Sequence, residues 1–171
     1  MLTKKAISTT TFIAIVIISA IFLIVSTSNY VEFYRAIETL DLTIVNASPS
    51  VGQNEVNITL IFSITNPTRY VGLKLQELSF ALYFQNNSEN IDLWWKTLAY
   101  HNQPVTIDPY WNNTFEYHIN LDVNADSTKR FQDLYQTQQG NIKWLLKSVA
   151  IVITFAGEID VPLTAEYLSH P

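Results

Sequence analysis

The chain has no cysteine among its 171 residues. Disulfide staples, zinc–thiolate centres and cysteine nucleophiles are therefore excluded. Only four glycines are present, and none belongs to a phosphate-cradling loop. No serine sits in the glycine-flanked setting of a hydrolase nucleophile. Positive charge is scarce as well, with ten Lys and Arg against 15 Asp and Glu. All 15 acids but only eight of the basic residues lie beyond residue 28, which leaves that part at 8 − 15 = −7. Such a balance argues against a nucleic-acid partner. The three histidines, His101, His118 and His170, are too far apart to suggest a ligand set, so no metal and no cofactor is expected. Glu116, His118, Asn120 and Asp122 line one side of an alternating run, as a solvated sheet face does. Glu158 and Asp160 flank Ile159 on an outward face with nothing to desolvate them, as general-acid work would need. The expectation is a protein that is not an enzyme.

Long apolar sequence is present instead, and at one end. Lys4 and Lys5 precede 22 residues without a charge, Ala6 to Thr27. A helix needs about 20 such residues to cross the hydrocarbon core of a bilayer. A cleaved secretory signal is the alternative, but its apolar core runs to only about 7–15 residues. The run therefore reads as an uncleaved signal-anchor. The lysines lie on the short side, and Glu32, Arg35, Glu38 and Asp41 open the other. The positive-inside rule then places the N-terminus in the cytoplasm and the rest outside the cell membrane. The expected organisation is a cytoplasmic tip and anchor over residues 1–28, a stalk over 29–40, and one extracytoplasmic domain over 41–171. Tyr30, Phe33 and Tyr34, just past the anchor, suit an aromatic belt at the membrane interface. Four sequons fit an extracellular glycoprotein, with acceptors Asn46, Asn57, Asn86 and Asn112. Asn66-Pro67-Thr68 is disqualified by its proline.

Beyond the anchor the apolar period changes. Val31, Tyr34 and Ile37 still recur at helical spacing. Val56, Ile58, Leu60, Phe62 and Ile64 then alternate with mostly polar residues, the mark of a strand with one buried face. Asn57 falls on its outer side. Asn66-Pro67 stops that strand, because proline lacks the amide that a ladder requires. Leu73 and Leu75 start a second strand, and Leu78, Phe80, Leu82 and Phe84 continue it out of phase. The slip predicts a β-bulge at Gln76-Glu77. Asn86-Asn87-Ser88 marks a turn, and strands follow over Ile91–Tyr100, Val105–Ile107 and Phe115–Val123. Asp126 or Ser127 can cap a short helix with Phe131, Leu134 and Tyr135 as its stripe and Gly140 just past its end. Val149–Phe155 and Ile159–Tyr167 form two last strands around Gly157, and Pro162 hints that the second is an edge. Seven or eight short strands with one helix before the last two predict an all-β fold. It is an antiparallel fibronectin-III/immunoglobulin-like β-sandwich behind a transmembrane helix.

Trp94 and Trp95 are neighbours in one strand, so their side chains face opposite sides. One of the pair, together with Trp111, is a candidate partner or lipid contact; the competing expectation is burial under the helix. The partners expected from the residues are the lipid bilayer and an envelope protein.

Two families are similar. Ile61-Phe-Ser-Ile-Thr-Asn-Pro-Thr68, followed by Val71-Gly-Leu-Lys-Leu-Gln-Glu-Leu-Ser-Phe-Ala-Leu-Tyr83, resembles the late-embryogenesis-abundant type 2 family. Its core is also called the water stress and hypersensitive response (WHy) domain. The resemblance covers roughly residues 40–167, and includes Asn66-Pro67 at a strand end and Gly157 at the final turn. It implies a fibronectin-III-like sandwich, often behind one transmembrane helix, with no catalytic residues. It further implies roles in stress protection, lipid handling or partner binding. Lys5-Ala6-Ile7-Ser8 resembles the processing motif of archaeal type IV pilin-like proteins. That likeness implies an archaeal source and a pilin or archaellum stator subunit that polymerises or grips a surface layer. The leading expectation is a non-enzymatic, membrane-anchored binding or structural protein of the cell envelope. Its alternatives are the pilin-like subunit and a lipid-binding module with an apolar groove between its sheets.

Overall fold

The computed structural model describes residues 4–86, 89–110, 112–138 and 141–169, with side chains from Thr9 onward. One helix, α1 (Lys4–Glu38), runs for 35 residues. It contains neither proline nor glycine, so nothing interrupts its hydrogen-bond ladder. Every large apolar side chain from Phe12 to Val25 is at least 49% exposed. By length and composition this helix can cross a membrane. It does not stop at residue 28, and the expected stalk is its continuation.

The rest is a sandwich of two antiparallel sheets. The smaller has the order β1 (Asp41–Val51), β2 (Val56–Thr65), β6 (Asn112–Leu121). The larger has the order β4 (Glu89–Ala99), β3 (Leu73–Asn86), β7 (Lys143–Thr154), β8 (Gly157–Leu168), and β5 (Val105–Ile107) pairs with the start of β3. Strand alternation builds the core directly. Val56, Ile58, Leu60, Phe62 and Ile64 of β2 face Leu73, Leu75, Leu78, Phe80, Leu82 and Phe84 of β3, all at 3% exposure or less. Inner faces so closely filled leave little room for a lipid groove between the sheets.

The helix α2 (Asp126–Thr137) closes the end of the sandwich far from α1. Its Phe131 ring lies 5.4 Å from both Phe84 and Trp144, and Gln132 Nε2 donates to the Gly52 carbonyl at 3.0 Å. Its cap differs from the expected one. Ala125 is the N-cap, with no side-chain hydrogen bond, and Asp126 lies in the first turn, where a carboxylate suits the helix dipole. The turn before it belongs to Asp122, whose Oδ1 accepts from the Asn124 amide at 2.9 Å. The expected Gly140 stop lies outside the described residues.

The bulge read at Gln76-Glu77 is present, as a register shift between Leu75 and Glu77 against β7. The strand carrying Pro162, β8, is an edge. Two stretches escaped the alternation. In β1 the register slips between Ile44 and Asn46 and Pro49 intrudes, so no clean period survives. At the start of β7, Trp144, Leu145 and Leu146 are all buried, which hides the two-residue repeat.

Burial raises the phenol pKa of Tyr70, Tyr100 and Tyr117 above the ordinary value of 10.0, and Tyr117 also repels a charge on Tyr100. A folded pKa above the unfolded one gives stability that is whole below about pH 10 and lost as pH climbs through the raised values. Thermal unfolding of the chain in detergent should therefore show a falling midpoint above about pH 10. Tyr117→Phe should flatten the fall; an equally steep fall in that variant would remove Tyr117 from the explanation.

Candidate binding surfaces

The base of the sandwich, where α1 enters, is organised by Asn66. It is fully buried at the end of β2. Its Oδ1 accepts from the Thr68 amide at 3.0 Å and the Thr68 hydroxyl at 2.7 Å, and its Nδ2 donates to the Tyr70 carbonyl at 3.1 Å. The Tyr70 amide donates to Thr68 Oγ1 at 3.2 Å, and the Tyr110 amide donates to the Asn66 carbonyl at 2.8 Å. Pro67 cannot extend the strand, so the side chain of Asn66 supplies the partners that a ladder would have supplied. Asn-Pro thus shapes a socket.

The end of α1 fills that socket. Phe33 (1% exposed) and Ala36 (0%) join the sandwich core. The Phe33 ring centre is 5.7 Å from that of Tyr70 and 4.8 Å from that of Phe155, which lies in the turn between β7 and β8. Glu32 Oε1 accepts from Arg69 Nη2 at 3.2 Å and from Arg35 Nη1 at 3.3 Å. Both arginines are largely in solvent, so each pair contributes at most about 1 kcal/mol. Burial of Phe33 is the stronger bond between helix and sandwich. Phe33 is thereby placed apart from the expected aromatic belt: its ring is turned into the protein and cannot meet lipid. Tyr30 and Tyr34 stay about half exposed, with hydroxyls 2.9 Å apart.

A second surface lies on the outer face of the larger sheet. Ala81 of β3 pairs with Trp95 of β4 on one side and Lys147 of β7 on the other, and Lys147 pairs with Thr164 of β8. Ser79 pairs with Thr97 and Val149, and Val149 with Pro162. Small side chains in the middle and Trp95 at the rim make an open trough of about 410 Å³ with Lys147 on its wall. The two tryptophans separate as their adjacency requires. Trp95 is 71% exposed, and Trp94 turns inward to lie 5.7 Å from the Phe80 ring and 6.4 Å from Tyr117. Trp111 lies outside the described residues.

The outer face of the smaller sheet is chemically different. Asn46 pairs with Ile61, Asn57 with Ser50 and Asn120, and Asn112 with Thr65, so three sequon asparagines share this face. Asn112 Oδ1 accepts from Thr65 Oγ1 at 2.6 Å. His118 is 76% exposed there, 3.6 Å from Glu116, a solvated pair. Asn86 ends β3 at the α2 end, and the other two residues of its sequon lie outside the described residues. Among the described residues no three of His, Cys, Asp and Glu gather as a metal site.

No protein-family model matches the chain, and no curated protein matches it in sequence. The likeness to solved structures is one of fold. The solution structure of At1g01470 from Arabidopsis thaliana has a TM-score of 0.52 at 11% identity, covering 77% of this chain and 81% of that one. The solution structure of At2g46140.1, described as a candidate late embryogenesis abundant (LEA) protein, has a TM-score of 0.49 at 13% identity, covering 90% of this chain and 86% of that one. A crystal structure of a protein from Archaeoglobus fulgidus has a TM-score of 0.44 at 11% identity, covering 78% and 98%. At 11% identity the first of these shows that this chain shares its sandwich fold, behind the helix α1.

Proposed function

We propose that this is a non-enzymatic, single-pass membrane protein of the cell envelope whose sandwich stands outside the cell and binds a protein partner through the Trp95 trough. The observation that carries the reading is the asymmetry of the two outer faces. One is polar and bears Asn46, Asn57 and Asn112; the other bears an exposed tryptophan, Val149 and Lys147 in a domain whose net charge is negative. Glycans on the first face would leave the second bare. An exposed aromatic beside small side chains is what a binding hot spot needs. The socket around Phe33 supports the same reading, since it holds that face in a set relation to the anchor.

A photo-reactive residue at position 95, in the full chain in its native membrane, should yield a discrete crosslinked species. The same residue at His118, on the opposite face, should not. Trp95→Ala should remove partner recovery and change the unfolding midpoint little, because the ring is 71% exposed. Equal crosslinking from both positions would sink the trough as the binding face. Intact mass of the membrane form tests the pilin-like alternative, which a cut after Ala6 would favour.

A further inference from the structure

Six large apolar or aromatic side chains stand exposed at one end of the molecule. Tyr30, Val31 and Tyr34 lie on α1, Val71 between β2 and β3, Tyr110 just before β6, and Phe155 between β7 and β8, with exposures of 47–71%. All belong to the base, where β2 and β7 end and β3, β6 and β8 begin. Val71 reaches back along α1, for it lines one cleft of about 460 Å³ with Ile24, Val25 and Arg69. Arg35, Arg69 and Tyr110 border the next cleft. Tyr110 is held in the left-handed region, at φ 55, which a non-glycine residue adopts at a cost. Its ring is nonetheless 70% exposed, so burial of the ring does not offset that cost.

The helix sets the depth of this end. Val25 is twenty residues past Lys5. At about 1.5 Å per residue that is about 30 Å, the thickness of the hydrocarbon core. The level at which α1 leaves the hydrocarbon is therefore the level of Val71. Tyr30 and Tyr110 would lie at headgroup depth, where aromatic rings with a polar tip are favoured. One carboxylate, Glu32, faces two guanidiniums, Arg35 and Arg69, which leaves one positive charge in the clefts for lipid phosphate.

We propose that the base of the sandwich is itself a membrane-contact surface, occupied by the headgroup layer of the bilayer that α1 crosses. Val71, Tyr110 and Phe155 enter the interface, and Arg35 and Arg69 meet phosphate oxygens. The patch is continuous with the apolar surface of α1, which identifies its occupant as lipid rather than protein. The domain is then seated on the membrane. Its strands stand away from the bilayer, and the Trp95 trough faces sideways, towards neighbours in the same membrane. The inference rests on the reading of α1 as an anchor.

The absence of cysteine makes a clean test possible. The full chain, reconstituted in vesicles of phosphatidylcholine and phosphatidylglycerol, would carry one environment-sensitive fluorophore at a single introduced cysteine. Val71→Cys and Ala156→Cys report on the base, Val16→Cys on the helix, and Gln53→Cys on the far end. The expected result is blue-shifted emission and quenching by a shallow lipid-borne quencher at positions 71 and 156, with position 53 as in water. Position 16 should be quenched by a deep quencher. Base positions that behave like position 53 while position 16 is deep would overturn the seating and leave the anchor intact. A water-like position 16 would overturn the anchor, and the seating with it. R35Q/R69Q should weaken shallow quenching at position 71 when phosphatidylglycerol is present; unchanged quenching would remove the arginines from the contact.

Discussion

Phe33→Ala is expected to release the apolar helix from the sandwich. The ring is 1% exposed and packs against Tyr70 and Phe155, and no other aromatic side chain of α1 is buried in the sandwich. Truncating a buried phenylalanine costs about 3–5 kcal/mol. The two Glu32 ion pairs, worth at most about 1 kcal/mol each, cannot compensate. Spin labels on Thr27→Cys and Thr164→Cys, both exposed, would report the result in the full chain. A narrow distance distribution should become broad in Phe33→Ala and stay narrow in Phe33→Leu, which keeps most of the apolar volume. A narrow distribution in the alanine variant would show that the helix is held by something other than this ring.

Asn66→Ala should be nearly as damaging, for a different reason. The side chain is fully buried and serves the Thr68 amide, the Thr68 hydroxyl and the Tyr70 carbonyl at once. Without it, at least two backbone groups lose their partners inside the protein. Each such group costs about 1–3 kcal/mol, for a total of about 2–6 kcal/mol. Thr68→Val deletes one hydroxyl and should cost less. Denaturant midpoints of the two variants, compared with the parent chain, measure the difference. A loss below about 1 kcal/mol for Asn66→Ala would mean that the freed groups find other partners. Because the Tyr70 ring packs at a tilt against Phe33, the Asn66 variant should also loosen the helix, and Asn66→Ala and Phe33→Ala together should cost less than the sum of their separate effects.

Much of this fold was legible because strands that bury one face must alternate. The runs Val56–Ile64 and Phe115–Leu121 could be placed from their period, and the bulge at Gln76 from its interruption. Where alternation failed, so did the reading: β1 is broken by its own register shift and Pro49, and the start of β7 is buried on both sides. The adjacency of Trp94 and Trp95 required opposite faces but not which one faced outward. That was settled by the register of β4 on β3, which sets Trp94 opposite Leu82 on the inner face and Trp95 opposite Ala81 on the outer.

By itself the sequence determined the apolar helix, the sandwich class, the missing thiol chemistry and the polar outer side of β2 and β6. These follow from composition and from periods of 3.6 and 2, which are local. Tertiary structure alone decided that the presumed stalk is a docked helix end and that Asn66 is the centre of its socket. It also decided that three sequons share one face while the tryptophan trough occupies the other. Those facts depend on which strands become neighbours and in what register, and residues as distant as Phe33, Tyr70 and Phe155 meet only once both sheets have closed.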